Sequence, residues 1–512
     1  MPEPVLSSYI AGRWVEGSTG ELYPDINPAT GELLGHVSVA GGAEVDQAVE
    51  AAQEAFAGWR SVPAPRRGEI LSRAAQLLAE RKEALARLMA EEMGKVLLEA
   101  RGDVQEAIDE FAYMAGEGRR MFGFTTPSEM PDKFACCVRD PVGVVGLITP
   151  WNFPAAVPSW KLGPALIAGN TVVWKPAEDT PRVSLALALI LEEAGLPPGV
   201  LNVVLGTGPR AGAALVEHPG VRVIAFTGST ETGTRIAAEA ARRGKRVLLE
   251  MGGKNAIAVM DDADLDLAVE GILWSAFGTT GQRCTSASRL IVHRRVLEEL
   301  TERLVERAQK LRLGNPLADD TDVGPVASRR QLDRVHRYTE LGLAEGARLL
   351  CGGEMYREGE CARGFFYRPT LFGDVRPGMR VAREEIFGPT AVIVPCDSLE
   401  EAIRINNDSA YGLSSGIYTR DVNRAMRAAR DMTSGIVYIN HGTTGAEVHL
   451  PFGGTRSTGN GHREAAVQAL DGFTEWKTIY VDYSGRLQRA QIDTASAPGR
   501  PGTSRDVPGY TG

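Results

Sequence analysis

Apolar residues recur every three to four positions through 43–60 and 66–95, in stretches rich in Ala, Leu, Glu and Arg. That spacing predicts amphipathic helices. The pattern breaks over 121–140, an extended-looking piece marked by Pro127, Pro131 and, just beyond it, Pro141. From Gly143 short solid apolar runs alternate with helical patterns. GVVGLI (143–148), NTVVWKP (170–176), LNVVLG (201–206), VRVIAFTG (221–228) and RVLLEMGG (246–253) read as buried strands. SLALALILEEAG (184–195) and TGTRIAAEAARR (232–243) read as the helices among them. Alternation of this kind predicts a parallel, doubly wound sheet. A second α/β stretch runs from about 254 to 453, with ADLDLAVEGILWSAF and LEELTERLVERAQKL as helices and TAVIVP and GIVYIN as strands. TEWKTIYVDY, after residue 470, alternates as a half-exposed strand does. Residues 485–512, rich in Gly, Pro, Arg, Ser and Thr, read as a tail without a core of its own.

Composition narrows the class. A chain of 512 residues leads one to expect two or three domains, and 43 % apolar with 24 % charged residues fits a globular enzyme. The formal net charge of −9 argues against nucleic acid or an anionic membrane surface as the main partner. No apolar run approaches the roughly 20 residues that span a bilayer, and the N-terminus lacks a basic start followed by an apolar stretch. A cytoplasmic location is expected. Six Cys, at 136, 137, 284, 351, 361 and 396, form no CxxC pair and no disulfide framework. No Cys/His cluster has zinc-ligand spacing, so no metal is expected. Lys occurs nine times against 47 Arg, which makes a Lys inside a motif worth examining.

Several motifs can carry chemistry. Cys284 closes FGTTGQRC beside Arg283; a neighbouring cation lowers a thiol pKa, and the Gly-rich lead-in lets backbone approach a ligand. Glu250 ends an apolar strand in LLEMGG, placed to activate water. Asn152 in TPWNFP offers amide protons to an oxyanion. Each has a plainer reading: an inert buried thiol, a strand-end ion pair, an Asn serving a turn. Gly228-Ser229-Thr230-Glu231-Thr232-Gly233 follows a strand and opens a helix, a place for phosphates, although Thr230 departs from GxGxxG. Lys175 and Glu178 in WKPAEDTP lie at a strand's C-terminal end, where Glu178 can accept from a ribose diol and repel a 2′-phosphate. In EEIFGP, Glu385 offers a second ribose ligand and Phe387 an aromatic flank.

The ordered set TPWNFP, WKPAEDTP, FTGSTETG, LLEMGGKNA, FGTTGQRC, EEIFGP, and PFGG followed by GHRE resembles the aldehyde dehydrogenase superfamily, from about residue 10 to residue 483. The resemblance implies two doubly wound open-sheet α/β domains, a Rossmann-like dinucleotide-binding domain (1–120 and 141–252) and a catalytic domain (253–470). It adds a small β oligomerisation arm (121–140 and 471–485), followed by a C-terminal extension (486–512). It implies NAD as cofactor, with NADP also allowed, and a homodimer or homotetramer. Carried over by motif, Cys284 is the nucleophile, Asn152 with the Cys284 N–H the oxyanion hole, and Glu250 the base for deacylation. Lys175, Glu178, Ser229, Glu385, Phe387, Thr149, Trp151, Gly228 and Gly233 would hold the cofactor, and Glu464 would relay protons.

The substrate is less legible. TTGAEVH, before PFGG, resembles the anchoring loop of amino-acid-derived semialdehyde dehydrogenases, with backbone N–H groups near Gly445 and Ala446 able to hold a distal carboxylate. His449 and Pro451 depart from that pattern, and no partner for an α-amino group stands out. A broad-specificity aldehyde dehydrogenase is therefore the first expectation and a semialdehyde-specific enzyme the alternative. A CoA-acylating member would not need Glu250, and a catalytically silent homologue would not need all three groups. The tail is expected to fold over a subunit contact or toward the substrate tunnel.

Overall fold

The computed structural model describes residues 4–492. A seven-stranded sheet runs in spatial order Arg246–Glu250, Val223–Thr227, Val144–Ile148, Thr171–Lys175, Leu201–Val203, Ser8–Ile10 and Arg13–Val15. The first five strands are parallel and the last two antiparallel. Period-two alternation assigns its residues to two cores. Val145, Leu147, Val172, Trp174, Val223 and Ala225 pack on one side. Val144, Ile148, Val173, Ile224 and Phe226 pack on the other. Helices Ala64–Glu80, Leu97–Glu117, Ala156–Ala168 and Pro181–Glu193 cover the first face. Gly42–Ser61 and Thr230–Arg242 cover the second. The sheet is doubly wound as expected, and its strand order reverses beside Val144–Ile148, a crevice where ligands bind at the strands' carboxyl ends.

A second seven-stranded sheet has the order Arg348–Cys351, Thr370–Gly373, Thr390–Cys396, Ala287–His293, Asn255–Val259, Ser414–Tyr418 and Ile436–Ile439. Only the Arg348–Cys351 edge strand is antiparallel to its neighbour. Ile257, Val259, Leu290 and Val292 face helices Leu265–Phe277 and Leu297–Gln309. Ala256, Ala258, Ile291 and Ile417 face helices Leu399–Asn407 and Val422–Asp431.

Strands Phe124–Pro127, Lys133–Pro141 and Thr474–Asp482 form a separate antiparallel ribbon. It leaves Phe124, Phe134, Trp476, Tyr480, Val481 and Tyr483 exposed. Of the tail, the Gln488 side chain donates to Pro131 O at 2.7 Å. The expectation for residues 493–512 lies outside the described residues.

Two readings need correction. The helical stretch 66–95 is two helices, Ala64–Glu80 and Lys82–Met93, interrupted at Arg81, whose backbone leaves the helical region at ψ 8°. The N-terminal segment, where no strand was expected, forms five short ones between Val5 and Ser38.

Candidate active site

One cavity of about 1230 Å³ lies between the carboxyl ends of the first sheet's strands and the amino ends of the second's. Thr149, Trp151, Asn152, Lys175, Glu178, Gly228, Ser229, Glu250, Cys284, Glu385, Phe387, Gly445, Ala446 and Glu464 all line it. Gly233 does not. A Cβ there would lie 2.4 Å from Met251 Sδ, so this glycine serves helix-to-sheet packing.

Cys284 is presented by an unusual loop. Helix Leu265–Phe277 ends, and Thr279, Thr280 and Gly281 follow in left-handed conformations (φ 51°, 56° and 68°). Left-handed Thr is costly, and buried bonds hold it. Thr279 N–H donates to Glu99 Oε1 at 2.8 Å, and Thr280 Oγ1 donates to Gly324 O at 3.0 Å. Asn255, at the start of its strand, donates from Nδ2 to Cys284 O at 2.7 Å and to Ser286 O at 3.0 Å. The loop fits so closely that a Cβ on Gly253 would lie 2.5 Å from Cys284 O.

The expected help from Arg283 is absent. Its guanidinium pairs with Glu99 at 2.9 Å, donates to Thr279 Oγ1 rather than to the thiol, and lies over the Trp274 ring at 4.5 Å. Adjacency in sequence put it beside Cys284, but successive side chains in this loop diverge. The thiol pKa is accordingly pushed well above its ordinary value, first by burial and then by Glu250, Glu385 and Glu464.

Asn152 is 4 % exposed and donates from Nδ2 to Gln282 O at 3.0 Å; its second amide proton remains for a ligand. Glu250 ends its strand, 2 % exposed, with Oε1 lacking any hydrogen-bond partner. Burial pushes its carboxyl pKa well up and Glu464 adds to that, while Lys161 and Arg463 oppose. The chain returning from the second sheet braces this strand: Met251 N–H donates to Thr458 O at 2.7 Å, and Leu249 N–H to Asn460 Oδ1 at 3.1 Å. A few residues later the same segment delivers Glu464, in a buried ion pair with Lys161. Lys161 was not singled out in the sequence. It lies within a helix whose residues are almost all buried, and a cation there must be paired. Trp160 and Phe452, rings 4.7 Å apart, add an apolar wall that sequence reading also missed.

On the other side, Lys175 Nζ meets Glu178 Oε2 at 2.7 Å. Burial raises the Glu178 pKa, but Lys175, Glu178's own N–H and Arg330 together outweigh it and the net shift is downward, so Glu178 is charged. Trp174 Nε1 donates to Thr149 Oγ1 at 2.8 Å. Ser229, exposed at the N-cap of Thr230–Arg242, accepts from Thr232 N–H at 3.3 Å and leaves the helix's first amides facing the cavity. A Cβ on Gly228 would strike the Phe226 ring at 2.5 Å. Glu385 Oε1 accepts from Gly253 N–H at 2.9 Å, and Arg334 donates to the Glu385 carbonyl at 2.6 Å. Phe387, at φ 63°, stands edge-on to Trp151 with ring centroids 5.5 Å apart.

Gly445 has φ 116°. Thr443 Oγ1 anchors its loop to Thr285 O at 2.7 Å. Among the described residues no helix is long and apolar enough to cross a membrane, and no group of His, Cys, Asp and Glu could hold a metal ion.

Residues 14–479 match the aldehyde dehydrogenase family. The chain is 42 % identical over 475 residues to the alpha-ketoglutaric semialdehyde dehydrogenase of Bacillus subtilis (strain 168), covering 93 % of this chain and 97 % of that one. It is 41 % identical over 481 residues to rat (Rattus norvegicus) aldehyde dehydrogenase 1A1, covering 93 % and 95 %. The fold superposes on betaine aldehyde dehydrogenase from Staphylococcus aureus, crystallised with NAD+, with a TM-score of 0.92, 34 % identity and coverage of 94 % and 95 %.

Proposed function

The chain belongs to the aldehyde dehydrogenase family of NAD-dependent oxidoreductases, and we propose that Cys284, Asn152 and Glu250 divide the chemistry among themselves. What supports this assignment is their convergence on one cavity whose opposite side suits a dinucleotide. The charged Glu178 beside Lys175, the open amides after Ser229, the glycine cradle at Gly228 and the carboxylate of Glu385 fit NAD's riboses and phosphates. Glu178 disfavours a 2′-phosphate by charge. Thr149 and Trp151 complete the wall. When bound, NAD supplies a hydride acceptor.

The residues act in sequence. As the Cys284 sulfur bonds to the aldehyde carbon, the thiol proton must leave. Glu250, whose raised pKa makes its carboxylate a stronger base near neutral pH, takes it. Asn152 and the Cys284 N–H hold the oxyanion of the thiohemiacetal. Loss of hydride leaves a thioester on Cys284. Glu250, once it has passed the thiol proton on, draws a proton from water attacking that thioester, and the carboxylic acid departs. Glu464, paired with Lys161 and electrostatically linked to Glu250, is the next group to receive the proton.

A broad range of aldehydes is the substrate reading supported by the apolar wall of Trp160 and Phe452 and by the rat relative. The semialdehyde alternative draws on the Bacillus relative and on Gly445 and Ala446 at the cavity. Comparing kcat/KM for hexanal with that for aminoadipate and glutamate semialdehydes separates the two. Cys284→Ala should abolish NADH formation; turnover by that variant would defeat the assignment.

We also propose the domain division 1–120 with 141–252, then 253–470, with the ribbon as an arm. The ribbon's exposed aromatic face supports a homodimer or dimer of dimers through it. A cytoplasmic location is our reading.

A further inference from the structure

Strand Arg246–Glu250 is an edge of the first sheet, paired on one side with Val223–Thr227. The Glu250 carbonyl turns inward and accepts from Gly228 N–H at 3.1 Å, so the backbone groups of Val247, Leu249 and Met251 turn outward. No strand of the sheet lies on that side. An uncovered edge frays easily, and this one ends on the proposed base. Among the described residues the Glu250 side chain makes no hydrogen bond or ion pair, and its Oε1 is buried. The aim of that carboxylate therefore follows the backbone that carries it.

Residues 458–460 take the missing neighbour's place. Met251 N–H donates to Thr458 O at 2.7 Å, and Thr458 Oγ1 donates to Gly252 O at 2.9 Å. Gly459, extended at φ −170°, forms an isolated bridge with Glu250. It comes so close that a Cβ there would lie 2.8 Å from Leu249 O. Asn460 completes the cover with its side chain. Its Oδ1 accepts from Leu249 N–H at 3.1 Å, and its Nδ2 donates to Val247 O at 2.7 Å. A residue of a parallel neighbour bonds in the same way, its C=O to one residue and its N–H to the residue two before it. A carboxamide carries that acceptor and that donor, so Asn460 stands in for a peptide group.

We propose that Asn460 is a positioning residue for the base: its carboxamide fixes strand Arg246–Glu250 at Leu249 and so keeps the unbonded Glu250 carboxylate aimed at the reacting carbon on Cys284. The proposal rests on Glu250 being the base and Cys284 the nucleophile of this cavity. Geometry singles out Asn460 within its segment. Thr458 is buried and also accepts from Gly412 N–H at 3.0 Å, so it belongs to the packing between the two sheets. Asn460 is exposed, and its side chain bonds to the strand alone.

Misplacing a reacting group by about 1 Å can cost about 100-fold in rate. Asn460→Ala removes the bonds to Leu249 and Val247 but leaves those of Thr458, so the strand end loosens without detaching. The expected loss is accordingly smaller, about tenfold, and falls on the steps that use Glu250. The cofactor side of the cavity, held through Gly253 N–H and Glu385 at 2.9 Å, keeps its geometry.

The test compares the wild type with Asn460→Ala, Glu250→Gln and the double variant. Asn460→Ala should lower kcat for hexanal about tenfold, with KM for hexanal and Kd for NAD within about twofold of the wild type. In the Glu250→Gln background the same change should cost less than about twofold, because no base is left to aim. A side chain that merely stiffened the sheet would slow both backgrounds alike. Hydrogen exchange of the 246–252 peptide, read by mass spectrometry, checks the bond itself without any substitution. The Leu249 amide should exchange slowly in the wild type and about tenfold faster or more in Asn460→Ala. Unchanged kcat in Asn460→Ala, an equal loss in both backgrounds, or fast exchange at Leu249 in the wild type overturns the proposal and leaves Asn460 a cover for a sheet edge. Full activity in Glu250→Gln would instead count against the base assignment.

Discussion

Gly252→Ala isolates the hold on Glu385. A Cβ at residue 252 would lie 2.2 Å from Glu385 Oε2 and 2.6 Å from its carboxyl carbon. Ordinary contact begins near 3.4 Å, so the carboxylate must retreat by roughly 1 Å. Its Oε1 is bonded to Gly253 N–H at 2.9 Å, and a retreat of that size breaks or bends this bond. If Glu385 grips the ribose of the cofactor, the change removes a charge-assisted hydrogen bond, about 1.5–3 kcal/mol, or a roughly 10- to 150-fold weaker Kd for NAD. Calorimetric titration with NAD measures this directly. Glu385→Ala should weaken binding comparably, and the double variant should be far from additive, because both changes remove one contact. Wild-type affinity in Gly252→Ala, or full additivity, would refute the reasoning.

Other outcomes follow from the same geometry. Glu250→Gln removes the base for both the attack and the hydrolysis, so the first NADH formed should appear more slowly and turnover should fall about 100-fold or more, read by stopped-flow absorbance. Iodoacetamide alkylation of Cys284 should rise about tenfold per pH unit through the neutral range without a plateau, because burial first and neighbouring carboxylates second hold the thiol protonated; mass spectrometry of the peptide reports it. Lys161→Met should cost about 3–5 kcal/mol by leaving Glu464 buried and unpaired, seen as a lowered denaturation midpoint. Glu110 has a folded-state pKa raised above the unfolded value by burial, then by Glu106 and Glu464. The native state therefore holds the extra proton, and stability falls as pH rises from the unfolded pKa toward the folded one. Glu110→Gln should flatten that decline, stabilising the protein more at pH 8 than at pH 5 by thermal melting.

The central strands were legible because parallel strands covered on both faces read as solid apolar runs, as TVVWK and VIAFT do. The five short N-terminal strands carry mixed polarity, as in LYPDI, and lie at edges, so pattern alone did not expose them. Glu250, Cys284 and Asn152 stood out because Gly and Pro flank them. Lys161 did not, since a Lys in an apolar helix says nothing of its partner until the fold brings Glu464 beside it. Arg283 shows the opposite failure, for a neighbour in sequence proved to be engaged elsewhere.

Only nine residues lie between Glu464 and Thr474, where the exposed ribbon's last strand begins, and helix Leu470–Phe473 takes up part of that span. The connection between the cavity and the ribbon is therefore short in sequence. Glu464 and the ribbon thus share one short stretch of backbone.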